Sequence, residues 1–128
     1  MRFIINPSLS EPVYAQIARQ TREAVAHGTL RPGDQLPTVR ELALELLINP
    51  NTIAAAYREM ERAGLVYTQR GRGTFIAEIQ SSASLVERRR QLQKHVDLLL
   101  TEATHLGLSK GEIIDAVRTA AGKYRLKD

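Results

Sequence analysis

"TVRELALELLINPNTIAAAYREMERAG", residues 38–64, decides how the chain folds. Its first four residues form a capping box: the Thr38 hydroxyl caps a helix, and Glu41 reaches back from three residues on. Val39, Leu42, Ala43 and Leu46 make the inner face of that short helix. Pro50 disfavours helical geometry at Asn49, so the chain breaks at "LLINP". A second helix then runs from Pro50 to Ala63. Asn49 caps it, and Pro50 suits its first position. Ile53, Ala56, Tyr57 and Met60 share one stripe, with Tyr57 expected in the core and its hydroxyl outward. Gly64 ends the helix.

Upstream, Ser10 and Pro12 open another helix, in which Val13, Ile17, Thr21, Ala24 and Val25 recur at helical spacing and Gly28 is the stop. "RPGD" at 31–34 is a turn with Pro and Gly at its centre, and Leu36 and Pro37 end that loop. Downstream, Leu65 to Gln69 and Thr74 to Ile79 alternate as strands, and the four residues Arg70, Gly71, Arg72 and Gly73 join them into a hairpin. "SSAS" at 81–84 is a hinge or cap before a new unit. There Leu85, Leu92, Val96, Leu99, Ala103 and Leu106 recur at three-, four- and seven-residue steps, up to Gly107. "SKGE" at 109–112 is a second capping box, followed by Ile113, Ile114, Val117 and Ala121. The last residues, "KYRLKD", read as frayed.

Helix, short helix, break, helix and basic-tipped hairpin make a winged helix-turn-helix. The fold expected is mainly α with a small β-hairpin: a DNA-binding domain over residues 1–80, then a two-helix dimerisation region over 81–128. In such an arrangement the third helix enters the major groove, and wing arginines track phosphates or the minor groove.

Composition allows this and removes other classes. The chain has 128 residues, 43% of them apolar, with no Cys or Trp, two Phe and four Tyr. That suits an aliphatic, mostly helical core without disulfides or thiolate zinc sites. No apolar run approaches the ~18 residues of a membrane span, and the N-terminus is too short and polar for a signal peptide. The expected location is cytoplasmic. Net charge is +4, of which residues 1–80 supply +1 (nine Arg, eight acids) and residues 81–128 supply +3 (nine bases, six acids). Bulk charge therefore does not locate a nucleic-acid site. Base type says more: every base before position 81 is Arg, whose planar fork suits phosphates and guanine edges. Compositional drift gives the same pattern.

Residues 12–77 resemble the DNA-binding domain of the GntR family of bacterial transcription regulators. "G.LRPGD.LP..REL", "NPNT...AYRE.E..GL" and "RGRGTF" carry the resemblance jointly. "NPNT" before "AYREME", with only a short helical tail, is similar to the YtrA-like branch. The 51 residues after Ala77 are too few for the ligand or aminotransferase-like domains of longer branches. The resemblance implies DNA contacts from Arg40, from Thr38 beyond its capping role, and from Asn51 and Thr52 in the recognition turn that Asn49 caps. The N-terminal position also aims free backbone N–H groups at phosphate. Arg70, Gly71, Arg72 and Gly73 match the family's wing, whose glycines let the backbone approach the sugar-phosphate edge. Many relatives carry Arg where this chain has Pro50 and Ala54, so readout rests on fewer side chains. Arg58 is either a phosphate contact or the partner of Glu61 in a helical salt bridge.

The C-terminal stripe is too long for one helix to bury. The next helix can cover part of it, and a second subunit covering the rest is the better fit, because winged-helix dimers match two-fold operators. The alternative is an intramolecular helical hairpin against the first domain. "ERRR" at 87–90 reads as a solvated helix turn. His27, His95 and His105 lack metal-ligand spacing, and there is no phosphate loop or nucleophile motif, so neither an enzyme nor a cofactor is expected.

The sequence thus predicts a homodimeric repressor that binds an inverted-repeat operator in double-stranded DNA. The rival is a winged-helix module that binds protein, which would need no basic wing tip. A small-molecule effector stays open, since no residue cluster names a ligand.

Overall fold

The computed structural model describes residues 1–78 and 83–127, and its chain breaks where Pro50 requires. Helix α1 spans Val13–Ala26, α2 Val39–Leu46 and α3 Pro50–Arg62. Strands β1 and β2 span Val66–Gln69 and Gly73–Ile76, followed by α4, Leu85–His105, and α5, Lys110–Ala121. The chain divides into two compact units, residues 1–79 and 80–128.

In the first unit α3 packs against α1, α2 and β1. Ile17, Leu42, Ile53, Met60 and Ile76 are each at most 1% exposed and form the centre of the core. Burying one such side chain contributes about 1.5–3 kcal/mol relative to leaving it in water. Thr21, in the apolar stripe of α1, is fully buried because its hydroxyl donates to the Ile17 carbonyl at 2.8 Å. Between α2 and α3 the chain turns through Leu47, at φ 55°, which lets the Ile48 amide donate to the Ala43 carbonyl at 3.0 Å. Leu47 is the one non-glycine residue with positive φ among the described residues.

The hairpin is shorter than its sequence suggests. β1 and β2 pair antiparallel from Val66 opposite Ile76 to Gln69 opposite Gly73. Gly73, at φ 131°, joins the ladder, so only Arg70, Gly71 and Arg72 connect the strands. Beyond Ile76 the Ala77 amide bonds the Leu65 carbonyl at 2.9 Å. Ile79, and Ser81 and Ser82 of the expected hinge, lie outside the described residues.

Two features were not expected from the sequence. The "RPGD" loop runs along the free edge of β2: Gly33 donates to Ile76, Ile76 to Asp34 and Leu36 to Thr74, each at 2.8 Å. Gln35 thereby bridges Phe75. At the N-terminus, Phe3 is buried and glutamines of α1 bind the leading backbone. Gln16, 1% exposed, accepts from the Asn6 amide at 2.9 Å and donates to the Asn6 and Glu11 carbonyls at 2.8 and 2.9 Å. Gln20, one turn on, binds the Ile4 amide and carbonyl the same way. Helix α1 is flanked by Pro12, without a side-chain cap.

In the second unit Ser84 caps α4, and the box of Ser109 and Glu112 caps α5. Helix α4 ends at His105, so Leu106 is its cap rather than part of its stripe. Among the described residues no helix is long and apolar enough to cross a membrane.

Candidate nucleic-acid interface

Two N-termini and one strand turn present the expected contact residues. At α2 the Thr38 oxygen accepts from the Glu41 amide at 3.1 Å, and Glu41 Oε1 faces the Thr38 amide at 3.5 Å. The threonine proton stays available, because a hydroxyl that accepts can still donate. Thr38 is exposed, and Arg40 follows it, exposed, in the first turn of α2.

At α3 the Asn49 side chain accepts from the Asn51 amide at 2.8 Å, and the Asn49 carbonyl accepts from Thr52 at 3.0 Å. Pro50 has no N–H to offer. The expected free backbone donors of this turn are therefore largely taken, and recognition here falls to side chains. Asn51 is exposed, Thr52 half-buried, and Arg58 exposed two turns on. Arg58 makes no ion pair among the described residues. Glu61, its expected partner, accepts instead from the Thr68 amide at 3.2 Å, while Glu59 pairs with Arg62. The expectation for Tyr57 also changes. Its hydroxyl points inward and donates to the Pro37 carbonyl at 2.6 Å, joining α3 to the loop before α2. Burial pushes this phenol well above its ordinary range, with Glu41 adding a smaller push.

The wing tip is held from below. The Gln35 side-chain amide donates to the Arg72 carbonyl at 3.0 Å. A Cβ on Gly73 would overlap that amide, so glycine lets Gln35 keep this bond, and its φ of 131° is one that other residues rarely adopt. Gly71, at φ 78°, faces open space. Tyr67 and Phe75 stack across the strands with ring centres 5.6 Å apart. This pin from Gln35 left no mark in the sequence, where "RPGDQLP" reads only as a turn.

Two arginines of the first unit are held in ion pairs, and seven, Arg2, Arg22 and Arg31 among them, are exposed without one among the described residues. Arg19 is committed to Glu11 and Glu23, and Arg62 to Glu59. Arg40, Arg58, Arg70 and Arg72 are exposed and make no ion pair among the described residues. Among those residues no group of three or more His, Cys, Asp or Glu could hold a metal ion.

In the second unit, Leu85, Leu92 and Leu99 of α4 are exposed, Val96 is half-buried, and Leu106 is exposed at the cap. Ala103 is 3% exposed, and as the helix ends at Gly107 the Leu108 amide donates to its carbonyl at 3.1 Å. It is thus covered within the chain. Helix α5 buries none of its residues.

Comparison with known proteins agrees with this geometry. Residues 13–76 match the model of bacterial regulatory proteins, gntR family. The chain is 39% identical to the HTH-type transcriptional repressor YtrA of Bacillus subtilis, over 81% of this chain and 80% of that one. Among solved structures, a transcriptional antiterminator from Listeria monocytogenes superposes with TM-score 0.75 at 30% identity, covering 94% of this chain and 90% of its own. The DNA-binding domain of AraR, solved in complex with operator ORX1, superposes with TM-score 0.52 at 30% identity, covering 60% of this chain and 96% of that one.

Proposed function

Because the chain belongs to the gntR family of bacterial regulatory proteins, in its YtrA-like branch, and is a transcription regulator rather than an enzyme, we propose that it is a homodimeric repressor occupying an inverted-repeat operator. Repression works by steric occlusion in the cytoplasm. One observation carries the reading: Arg40, Arg58, Arg70 and Arg72, exposed and unpaired among the described residues, lie on α2, α3 and the wing, and Asn51 is exposed in the first turn of α3. Arg40, Asn51 and Thr52 read bases. Thr38, Arg58 and the Arg70–Gly73 wing hold phosphates, and Asn49 shapes the turn. The AraR DNA-binding domain, solved in complex with operator ORX1, supports the same use of this fold.

In this reading residues 1–80 bind DNA and residues 81–128 pair two chains. Leu85, Leu92, Val96 and Leu99 form the pairing stripe, and Leu106 is exposed just past its end, whereas Ala103, covered within the chain, is not available to a partner. Support comes from their exposure: Leu92 is 62% and Leu99 45% exposed, on a helix that α5 covers little. Two copies match a two-fold operator.

The test compares wild type with the Arg40→Ala, Arg72→Ala double variant on duplexes from upstream of the protein's own gene. Wild type should bind an inverted repeat with affinity falling steeply as salt rises. The double variant should bind at least tenfold more weakly, with a shallower salt slope. Equal, salt-insensitive binding by both removes the DNA reading. Light scattering should give a dimer for wild type and a monomer for Leu92→Asp, Leu99→Asp. A wild-type monomer at tens of micromolar removes the dimer.

A further inference from the structure

Arg40, Ala43, Leu44, Leu47, Ile48 and Pro50 line an open depression of about 590 Å³. Its walls are the outer face of α2, the left-handed turn at Leu47 and the first residue of α3. The surface is apolar yet faces solvent: Leu44 is 78% and Leu47 89% exposed. Neither leucine serves the core, and Leu47 holds its place at a backbone angle that leucine disfavours.

The depression is continuous with the recognition surface. Arg40 stands on one wall, and Pro50, on the other, leads directly into Asn51. This inference rests on the DNA-binding reading above. A duplex held at once by Arg40 and Asn51 must cover the leucines between them. Most of what the major groove presents there is polar, and the 5-methyl of thymine is its apolar exception. A polar base edge set against Leu44 and Leu47 would lose water without gaining a partner. A methyl group gains by leaving water. We propose that this depression receives thymine 5-methyl groups, so that each operator half-site carries thymine beside the step that Arg40 contacts. Leu44 and Leu47 are then specificity-determining residues that read by shape and apolarity where Arg40 and Asn51 read by hydrogen bonds.

The experiment starts from duplexes selected by the full chain out of a pool with a randomised core. Each thymine of a selected duplex is replaced singly by deoxyuridine, which removes the methyl and keeps the base pair. Wild type should lose about fourfold in affinity at one or two positions per half-site, the effect of one covered methyl group. Leu44→Ala and Leu47→Gly should bind the thymine and deoxyuridine duplexes alike, with the salt slope unchanged. Leu47→Gly is the safe variant, because glycine accepts this backbone angle. Full discrimination kept by both variants, or no sensitive thymine on a duplex that binds tightly, overturns this inference alone. So does a change in the mass of the protein in Leu44→Ala and Leu47→Gly with the deoxyuridine response intact, which would assign the depression to a second copy of the chain. Failure to select any duplex, with salt-insensitive binding, overturns the DNA reading and this inference with it.

Discussion

Gln35 occupies the space that a side chain on residue 73 would need: its amide donates to the Arg72 carbonyl at 3.0 Å, and a Cβ on Gly73 would run into that amide. The turn loop before α2 and the tip of the wing are therefore fitted to each other. Gly73→Ala should destabilise the protein by about 1–3 kcal/mol, chiefly from the φ of 131° and also because the Gln35 amide must swing aside and lose its bond to Arg72. Gln35→Ala alone should cost about 0.5–1.5 kcal/mol, one hydrogen bond. Urea unfolding of the two single variants and the double variant measures their coupling. The double variant should be less destabilised than the sum, because the collision is gone while the strained angle stays. Strict additivity would mean the two residues do not meet.

Leu47 offers the opposite sign. Its side chain is 89% exposed, so little burial is lost on removing it. Its backbone, at φ 55°, costs an L-residue about 1–2 kcal/mol that glycine avoids. Glycine also has more freedom to lose on folding, which offsets part of the gain. Leu47→Gly should raise stability by about 0.5–1 kcal/mol, read as a higher urea midpoint at unchanged slope. A lower midpoint would show that the leucine packs on something in the folded protein.

Gln16 was legible only as one more polar residue of an amphipathic helix. It is 1% exposed, and its amide group satisfies the Asn6 N–H and bonds the Asn6 and Glu11 carbonyls. Gln16→Met keeps the volume and leaves those groups without their partner, at a cost of about 1–3 kcal/mol. Trypsin should then cut sooner after Arg2, as the leading segment detaches before the domain unfolds. Unchanged cleavage with reduced stability would instead place the effect inside the helical core.

The contrast explains how much the sequence carried. The helices, the break at Pro50 and the capping boxes of Thr38 and Ser109 depend on local signals, a few residues apart, and local signals are what a sequence displays. Gln35 to Arg72 spans 37 residues, Tyr57 to Pro37 spans 20, and Gln20 to Ile4 spans 16. Periodicity marks neither glutamine, and for Tyr57 it foretells burial but not the bond to Pro37. The same limit applies to the recognition turn. Asn49 was visible as a cap, but only the geometry shows that capping takes up the amide of Asn51 and leaves its side chain as the exposed group.

Tyr57 gives the pH prediction. Burial holds its phenol neutral, and Glu41 opposes ionisation as well, so the folded-state pKa lies above the ordinary 10.0. A group whose pKa rises on folding contributes stability that is complete below the unfolded value and is lost as pH climbs above it. Unfolding free energy should therefore decline from pH 10 upward, as the unfolded chain releases a proton that the folded chain keeps. Tyr57→Phe removes that proton, so its own stability curve should fall less steeply above pH 10 than wild type's. At neutral pH the variant should be less stable by about 1 kcal/mol, since the Pro37 carbonyl loses its donor at 2.6 Å. The two curves should thus converge as pH rises. Parallel curves through pH 11 would mean that Tyr57 ionises as easily folded as unfolded. The joint between α3 and the loop before α2 would then be open to water, against the 7% exposure of this side chain.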